Sequence, residues 1–426
     1  MRGRSWWVLS ASIVLLLGVR WYYWQRIPLC AEDAYITFHA AIDSSWRQAT
    51  TSPPWAAILR IWPWPPPDFA RLTLGAADLA LFVIVWRRLP SLQVLAFAVF
   101  WSLPFFAGSM LSGLETHLAA CALLAGGGIL GIAALLRPDT ALLALAISGR
   151  RWWWVVMLGV VGFLLIGWWW AGSPLPNTIG AKFQSYGLAW GKGWGWWPPE
   201  AFGWLAVPIM GFGLWANWRL AVPGVAMIAG LWLLGIPGFW WYAVGPLGLC
   251  GFAALRLIDR PWKLGLAMAF LACGVPRQHE RLMSRTEDEG RLADAGNYLA
   301  SLRPRGTLLL EPAGIIPYIL HDLKTVDHVG LVEPWMAKRR AQGPGWMTDA
   351  ISRYEPEWML FRHRDLADLG RAAIGPTAPF RSAAEGQEVL GHYVMRFVTH
   401  AKIRRGEKEC VVTRSSSLVA LERRRP

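Results

Sequence analysis

Long apolar runs fill most of the first 275 residues of this 426-residue chain, and they constrain its fold more than any other feature. A helix needs about 20 apolar residues to cross a bilayer, where every backbone polar group must be satisfied within the helix. The runs extend over 5–24, 68–86, 91–110, 114–127, 128–137, 139–149, 152–171, 197–216, 219–236, 240–257 and 262–275. The pattern predicts a polytopic α-helical membrane protein with about eleven transmembrane helices.

The composition agrees with this prediction. Hydrophobic residues make up 54% of the chain and charged residues only 16%. The 30 tryptophans cluster at the ends of apolar runs, as at Trp168–Trp170, where interfacial indoles are expected. No nucleic-acid-binding motif accompanies the net charge of +14, so we expect membrane lipids and an anionic environment as partners, and no nucleic acid.

The basic clusters predict the orientation of the chain. Short loops such as those at Arg87-Arg88 and Arg150-Arg151 are expected on the cytoplasmic side. Eleven crossings place these clusters and the N-terminus in the cytoplasm, and the residues after 275 on the opposite side. The sequence thus predicts a transmembrane domain over 1–275, a soluble periplasmic α/β domain over 276–415 and a disordered tail over 416–426.

Two adjacent carboxylates, Glu32 and Asp33, follow the first apolar run. An acidic pair at the edge of the membrane suits a general base for an acceptor hydroxyl or a ligand for a divalent cation. Because the sequence shows no clear third ligand, two carboxylates are compatible both with a bound metal ion and with none. The structural alternative is a pair of charges at the N-terminus of a helix.

Three polar residues, Glu115, Thr116 and His117, open another apolar run. Their combination favours a polar substrate site or a metal site, although Glu115 alone is also typical of a helix N-terminus. Further along, Arg137 and Asp139 flank a proline that interrupts an apolar stretch. Arg137 is a candidate phosphate ligand, and the alternative is an Arg–Asp pair that caps the helix break.

A fourth group of polar residues, Asn177, Thr178 and Lys182, follows the seventh run. Lys182 is an isolated cation on the predicted non-cytoplasmic side, so it is suited to neutralising a lipid-linked phosphate, with Asn177 and Thr178 as hydrogen-bonding partners. Snorkelling of the lysine is the alternative. His39 follows the acidic pair on the apolar side. A histidine in this position is more often a hydrogen-bonded residue at the membrane interface than a ligand.

Several common enzyme classes lack support in the sequence. Gly126-Gly-Gly128 has no P-loop lysine, which argues against a nucleotide-sugar mechanism in the cytoplasm. Neither a Gly-x-Ser-x-Gly nor a His-Glu-x-x-His motif is present, which disfavours common hydrolases and zinc proteases.

A set of motifs in a fixed order resembles the bacterial GT-C glycosyltransferases, in particular terminal β-(1→2)-arabinofuranosyltransferases and the arabinosyltransferases of type IV pilin. The motifs are Glu32-Asp-Ala-Tyr-Ile-Thr-Phe38, Thr51-Ser-Pro-Pro-Trp55, Ser112-Gly-Leu-Glu-Thr116, Leu136-Arg-Pro-Asp139, Leu175-Pro-Asn-Thr-x-x-Ala-Lys182, Leu292-Ala-Asp294, Glu311-Pro-Ala-Gly-Ile-Ile-Pro-Tyr318 and Asp327-His-Val-Gly-Leu-Val-Glu-Pro334. The resemblance covers about residues 30 to 335.

The resemblance implies a GT-C membrane enzyme of the bacterial inner membrane. It would move a sugar, D-arabinofuranose by analogy, from a polyprenyl-phosphate donor to a cell-envelope glycan or pilin acceptor on the periplasmic side. Asp33 and Glu32 would be catalytic, with a divalent cation beside them if one is used. The remaining implied site residues bind the donor (Lys182, Arg137, Asn177, Thr178 and Glu115) or line the acceptor cavity (Tyr35, His39, Thr116, His117, Asp139 and His328). The competing hypothesis is a transporter or flippase of lipid-linked sugars.

Overall fold

The computed structural model describes residues 6–178, 181, 204–233, 240–311, 313–362, 378–398, 401–402, 411–412 and 418–424. The chain is mostly helical, with a small sheet near the C-terminus. It divides into two compact units. The first holds the described residues up to Ala34, from Ser52 to Leu175 and from Trp204 to Thr286, and the second holds Tyr35–Thr51, a segment that begins at Pro176, and the residues from Glu287 onward.

The first unit is helical because its apolar runs satisfy their backbone groups internally. Two of its helices, α2 and α13, continue into the second unit. The helices are α1 (Trp6–Trp24), α2 (Glu32–Ile42), α3 (Pro53–Arg60), α4 (Pro66–Arg88), α5 (Ser91–Trp101), α6 (Pro104–Leu111), α7 (Glu115–Ala125), α8 (Leu130–Leu136), α9 (Ala141–Ile147), α10 (Trp153–Ala171), α11 (Ala206–Leu233), α12 (Val244–Ala254) and α13 (Pro261–Ser301).

Within the described residues, three helices are long and apolar enough to cross a membrane: α1, α4 and the helix over Arg150–Ala171 that includes α10. The pair α5 and α6 is a fourth candidate if the bent pair forms one span. These helices agree with a membrane protein. The shorter apolar helices do not confirm the predicted total of eleven crossings, which stays a prediction.

Several predicted runs are broken in the structure, and each break has a local cause. The run over 91–110 bends by 66° between α5 and α6, where Pro104 begins α6 and cannot donate a backbone hydrogen bond. Pro138 starts a short 3-10 turn between α8 and α9. The break between the apolar runs over 197–216 and 219–236 is a kink inside α11, where Asn217 leaves the helical conformation (φ −158°, ψ 78°).

The border between the units lies elsewhere than predicted. The sequence places it between residues 275 and 276, but α13 runs through Pro276 without ending. The change from apolar to charged sequence therefore falls inside one helix. The second unit takes up the chain from Glu287, within the same helix. It also contains Tyr35–Thr51, which the sequence assigns to the transmembrane domain.

The second unit is built on a five-stranded sheet of order β2-β1-β3-β7-β4. β1 runs parallel to β2 and β3, while β7 runs antiparallel to β3 and β4. The described elements of this unit are α14 (Ile315–Ile319), α15 (Pro334–Ala341), α16 (Trp346–Tyr354), α17 (Ala383–Gly391), β1 (Thr307–Leu310), β2 (Lys324–Asp327), β3 (Trp358–Arg362), β4 (Tyr393–Val398), β5 (Ala401–Lys402), β6 (Val411–Val412) and β7 (Leu418–Arg423). The segments over 307–311 and 393–398, which the sequence predicts to be strands, form β1 and β4.

The predicted disordered tail over 416–426 is wrong in its central part. Residues Leu418 to Arg423 form β7, which is hydrogen-bonded between β3 and β4. Leu418, Val419 and Ala420 are each about 1% exposed. Burying this apolar segment outweighs the charge of the arginines that follow it.

Candidate functional site

The acidic pair lies in the first turn of α2. The residue before it, Ala31, is buried, and its backbone N–H donates a hydrogen bond to the carbonyl oxygen of Ser112 (2.9 Å). Both carboxylates therefore stand at a positive helix end, next to the segment that begins with Ser112. This placement agrees with the structural alternative and is equally compatible with a general base.

Residues of the Thr51-to-Trp55 motif contact the same region of the first unit. The Ser52 hydroxyl donates to the carbonyl oxygen of Leu136 (2.8 Å), and the Trp55 indole N–H donates to that of Gly113 (3.2 Å). Both side chains are fully buried. A buried side chain that satisfies a backbone carbonyl holds its two segments in one arrangement. The motifs at Thr51, Ser112 and Leu136, which are far apart in the chain, are thus joined by hydrogen bonds.

Arg137 is the centre of a buried ion cluster. Its guanidinium donates two hydrogen bonds to Asp139 (2.8 and 2.7 Å), one to Glu115 (3.2 Å) and one to Thr116 (3.1 Å). The guanidinium also lies 5.2 Å from the ring centre of Tyr242. Two carboxylates on one guanidinium leave a formal charge of −1. Binding of phosphate by Arg137 would therefore require it to release a carboxylate, and the observed contacts are those of the pair that caps the helix break.

In the second unit, Tyr35 and His39 belong to an aromatic cluster. The ring of Tyr318 lies 5.1 Å from Tyr35 and 6.4 Å from His39, and the His39 ring stacks on Trp46 at 4.1 Å. His39 is 1% exposed. The cluster joins α2 to the motif that ends with Tyr318, and it gives His39 a packing role.

Burial lowers the pKa of His39 to about 4, because a charged imidazole loses its hydration there. Asp43, 3.8 Å away, opposes the shift, and His321 adds to it. The pKa is lower in the folded state than the 6.5 of the free side chain, so the folded state resists protonation. The stability that depends on neutral His39 is complete above pH 6.5 and is lost as the pH falls towards 4.

We therefore expect the free energy of unfolding to fall by roughly 2 to 3 kcal/mol more between pH 7 and pH 4.5 in the wild-type chain than in His39→Phe. The substitution keeps a ring on Trp46 and removes the titrating group. Denaturant unfolding followed by tryptophan fluorescence at both pH values measures the difference. Equal pH dependence in the two proteins would contradict the assignment.

Asn177 belongs to the second unit and is hydrogen-bonded within it. Its side-chain amide donates to the carbonyl oxygens of Gly330 and Leu331 (both 2.9 Å), and its backbone N–H donates to that of Gln48 (2.9 Å). Thr178 is 1% exposed. The structure thus brings together the motif at Leu175 and the motif at Asp327. Lys182, the predicted donor-phosphate ligand, lies outside the described residues.

His328, a predicted cavity residue, is largely buried in the sheet domain. Its ring lies 5.4 Å from Trp346 and stacks near Phe361 (6.1 Å). The preceding Asp327 is fully buried, and its carboxylate accepts backbone N–H bonds from the loop that follows, including that of Leu331 (2.7 Å). Burial raises the pKa of Asp327. These contacts make Asp327 the support of the loop that binds Asn177, while His328 packs against core rings.

A second buried cluster was missed by sequence reasoning. Asp78 accepts hydrogen bonds from Arg20 (2.7 Å), Trp101 (2.7 Å) and His117 (2.6 Å). The thiol of Cys121 lies 3.7 Å from the same carboxylate. The available signal was the presence of Arg20 and Asp78 inside apolar runs, where charged residues are costly and usually paired.

This cluster changes the interpretation of His117. The sequence places it with Glu115 in a polar substrate site, whereas its ring donates a hydrogen bond to Asp78. Asp78, His117 and Cys121 offer metal-ligand atoms within 4.8 Å of one another. One Asp78 oxygen already receives the indole N–H of Trp101 and contacts His117, and the other receives Arg20, so these atoms are better described as a hydrogen-bonded ion cluster than as a metal centre.

Comparison with known proteins adds one match. Residues 281–411 match a family described as a domain of unknown function (DUF8728), which covers less than half of the chain. No curated protein and no solved structure matches the chain. The function is therefore argued from the residues and their contacts.

Proposed function

We propose that this protein is a GT-C type membrane glycosyltransferase that uses a polyprenyl-phosphate sugar, with arabinofuranose as the first candidate. One observation carries the proposal. Three motifs that are far apart in the chain, those at Thr51, Ser112 and Leu136, are linked by buried hydrogen bonds, and Ala31, the residue before Glu32, is hydrogen-bonded to Ser112. Polar segments that converge in this way among apolar helices are expected of a site for a polar head on a lipid-linked substrate.

The chemistry needs few groups from the protein. A polyprenyl phosphate is already a leaving group, so the enzyme must position the acceptor, remove its proton and neutralise phosphate charge. Asp33, with Glu32 beside it, is proposed to take the proton. Lys182 is proposed to neutralise the phosphate. Arg137 is then a positioning residue that orients Glu115 and Asp139.

The finer topology belongs to the same proposal. About eleven crossings would place the N-terminus in the cytoplasm and the sheet domain in the periplasm, with the protein in the bacterial inner membrane. The acceptor would be a cell-envelope glycan or pilin on the periplasmic side. Cysteine-accessibility labelling in whole cells, with single cysteines placed at Arg87, in the last turn of α4, and at exposed Lys338, tests this orientation.

Incubating the purified protein with a panel of polyprenyl-phosphate sugars tests the activity. Each donor carries a radioactive sugar, and its consumption in the presence of cell-envelope glycan is measured by thin-layer chromatography. Consumption of one donor, with transfer of its label to the glycan, supports the proposal. If no donor of the panel is consumed by well-folded protein, the proposal fails.

A transporter or flippase of lipid-linked sugars is the second candidate. It is favoured by the buried cluster of Asp78, Arg20 and His117, because ionisable groups within apolar helices often belong to transport pathways. Proteoliposomes separate the two functions. Sugar transfer without movement of donor between leaflets supports the enzyme, and movement without transfer supports the transporter.

A further inference from the structure

A basic cleft lies at one end of the five-stranded sheet, and its residues have no assigned role. β1 and β3 begin side by side, with Leu308 opposite Trp358. β7 ends there because it runs antiparallel to β3, and β4 begins there because it runs antiparallel to β7. The loop before β1 and the end of β7 therefore line one cleft of about 910 Å³.

Arginines from both segments line this cleft. Arg303 and Arg305 come from the loop before β1, and Arg423 and Arg424 come from the end of β7. The backbone N–H of Arg424 donates to the carbonyl oxygen of His392 (2.8 Å), another lining residue. This bond fixes the end of β7 against the start of β4, so the charges stand on a rigid support.

Two carboxylates, Glu357 and Glu422, line the cleft beside the four arginines, so positive charge is in excess. Glu422 is bound by Arg396, which is outside the lining. Glu357 accepts the backbone N–H of Thr307 (2.5 Å). Gly306, with φ of +81°, allows this close approach, because a Cβ atom there would collide with the Glu357 carboxylate.

Three of the arginines are without an ion pair in the part of the chain that the structure describes: Arg303, Arg305 and Arg424 are all exposed. Arg423 reaches the Glu355 carboxylate only at 4.0 Å. Like charges that share one concave surface repel each other and attract counter-ions. A guanidinium also matches phosphate oxygens through two parallel hydrogen bonds.

From this arrangement we infer that the cleft binds a ligand with two or more phosphate groups. The volume fits a ligand larger than a single inorganic phosphate, since small-molecule sites range from about 300 to 1,000 Å³. Scattered surface arginines would be solvated individually. Here two separate chain segments bring guanidinium groups to the same cleft, where they outnumber the carboxylates. The phosphates could belong to a soluble oligophosphate or to lipid headgroups, and the structure favours the former because the cleft offers several cations at once.

Calorimetric titration of the full-length protein in neutral detergent tests this inference, with inorganic tripolyphosphate as the probe. We expect binding at low salt that weakens strongly at 0.5 M NaCl, as screening of exposed charges requires. Arg305→Ala should weaken binding about five- to tenfold, through the loss of a charge-assisted contact. The combined variant Arg303→Ala/Arg305→Ala/Arg424→Ala should abolish measurable binding.

Lys338→Ala is the matched control, because Lys338 is an exposed cation on α15 outside the cleft lining. Its affinity should equal that of the wild type. A short-chain phosphatidylglycerol, kept below its micellar concentration, distinguishes the phosphate sources and should bind more weakly than tripolyphosphate. The inference is overturned if tripolyphosphate does not bind, if only the lipid binds, or if Lys338→Ala weakens binding as much as Arg305→Ala.

Discussion

Asp33→Asn is expected to lower the rate of sugar transfer by about 100- to 10,000-fold, the range over which a general base contributes. The asparagine has the same shape but cannot accept the proton of an acceptor hydroxyl. Since Asp33 lies in the first turn of α2 and is partly exposed, loss of its charge should cost at most about 1 kcal/mol of stability. Transfer is measured with the donor that the purified wild-type protein consumes, and donor binding is measured separately.

Asp68→Asn provides the matched control. Asp68 is also a carboxylate in the first turn of a helix, α4, and it is exposed. If the charges of the acidic pair serve only as helix-end charges, both variants should behave alike. Near wild-type transfer by Asp33→Asn would remove it from the mechanism, and a parallel loss in Glu32→Gln would identify the pair, rather than one carboxylate, as the base.

The second large effect is expected at Asp78, where Asp78→Ala should lower the free energy of unfolding by roughly 3 to 5 kcal/mol. The substitution leaves the guanidinium of Arg20 buried without its carboxylate, and it removes the acceptor for the indole N–H of Trp101 and the partner of His117. Thermal and denaturant unfolding of the purified protein in detergent measure the loss.

Asp68→Ala again serves as the control, because it removes an exposed carboxylate from the same helix and should change stability by no more than about 0.5 kcal/mol. The paired variant Arg20→Met/Asp78→Leu should recover most of the stability lost in Asp78→Ala, since neither charge is then buried alone. Unchanged stability in Asp78→Ala, or a failure of the paired variant to recover any of it, would show that the ion pair is not what holds these helices together.

Some features could be predicted from neighbouring residues alone. The apolar runs identified α1, α4 and α10 as helices able to span a membrane, because each run satisfies its own backbone. The segments over 307–311 and 393–398, which the sequence predicted to be strands, form β1 and β4. The proline in Leu136-Arg-Pro-Asp139 indicated the break that the structure has between α8 and α9.

Other features depend on residues that are distant in the chain. Asp78 and Arg20 are separated by 58 positions, so no local pattern could show that the two charges neutralise each other. The same holds for Arg137 and Glu115, which are 22 positions apart, whereas the pair of Arg137 with Asp139 was one of the alternatives that the sequence allowed. The arginine-rich end of the chain looked like a solvated tail, but the neighbouring strands β3 and β4 bury Leu418 to Leu421.

The series of apolar runs predicted a mostly helical chain with helices that could span a membrane, since helix formation in an apolar environment is a local property of each segment. The residues of the sequence also singled out the acidic pair and the ordered motifs. Which polar side chains meet was settled by packing, because a buried charge takes its partner from whichever helix lies beside it. The folded chain therefore identified the partners of Asp78, the ion pair of Arg137 with Glu115 and the basic cleft.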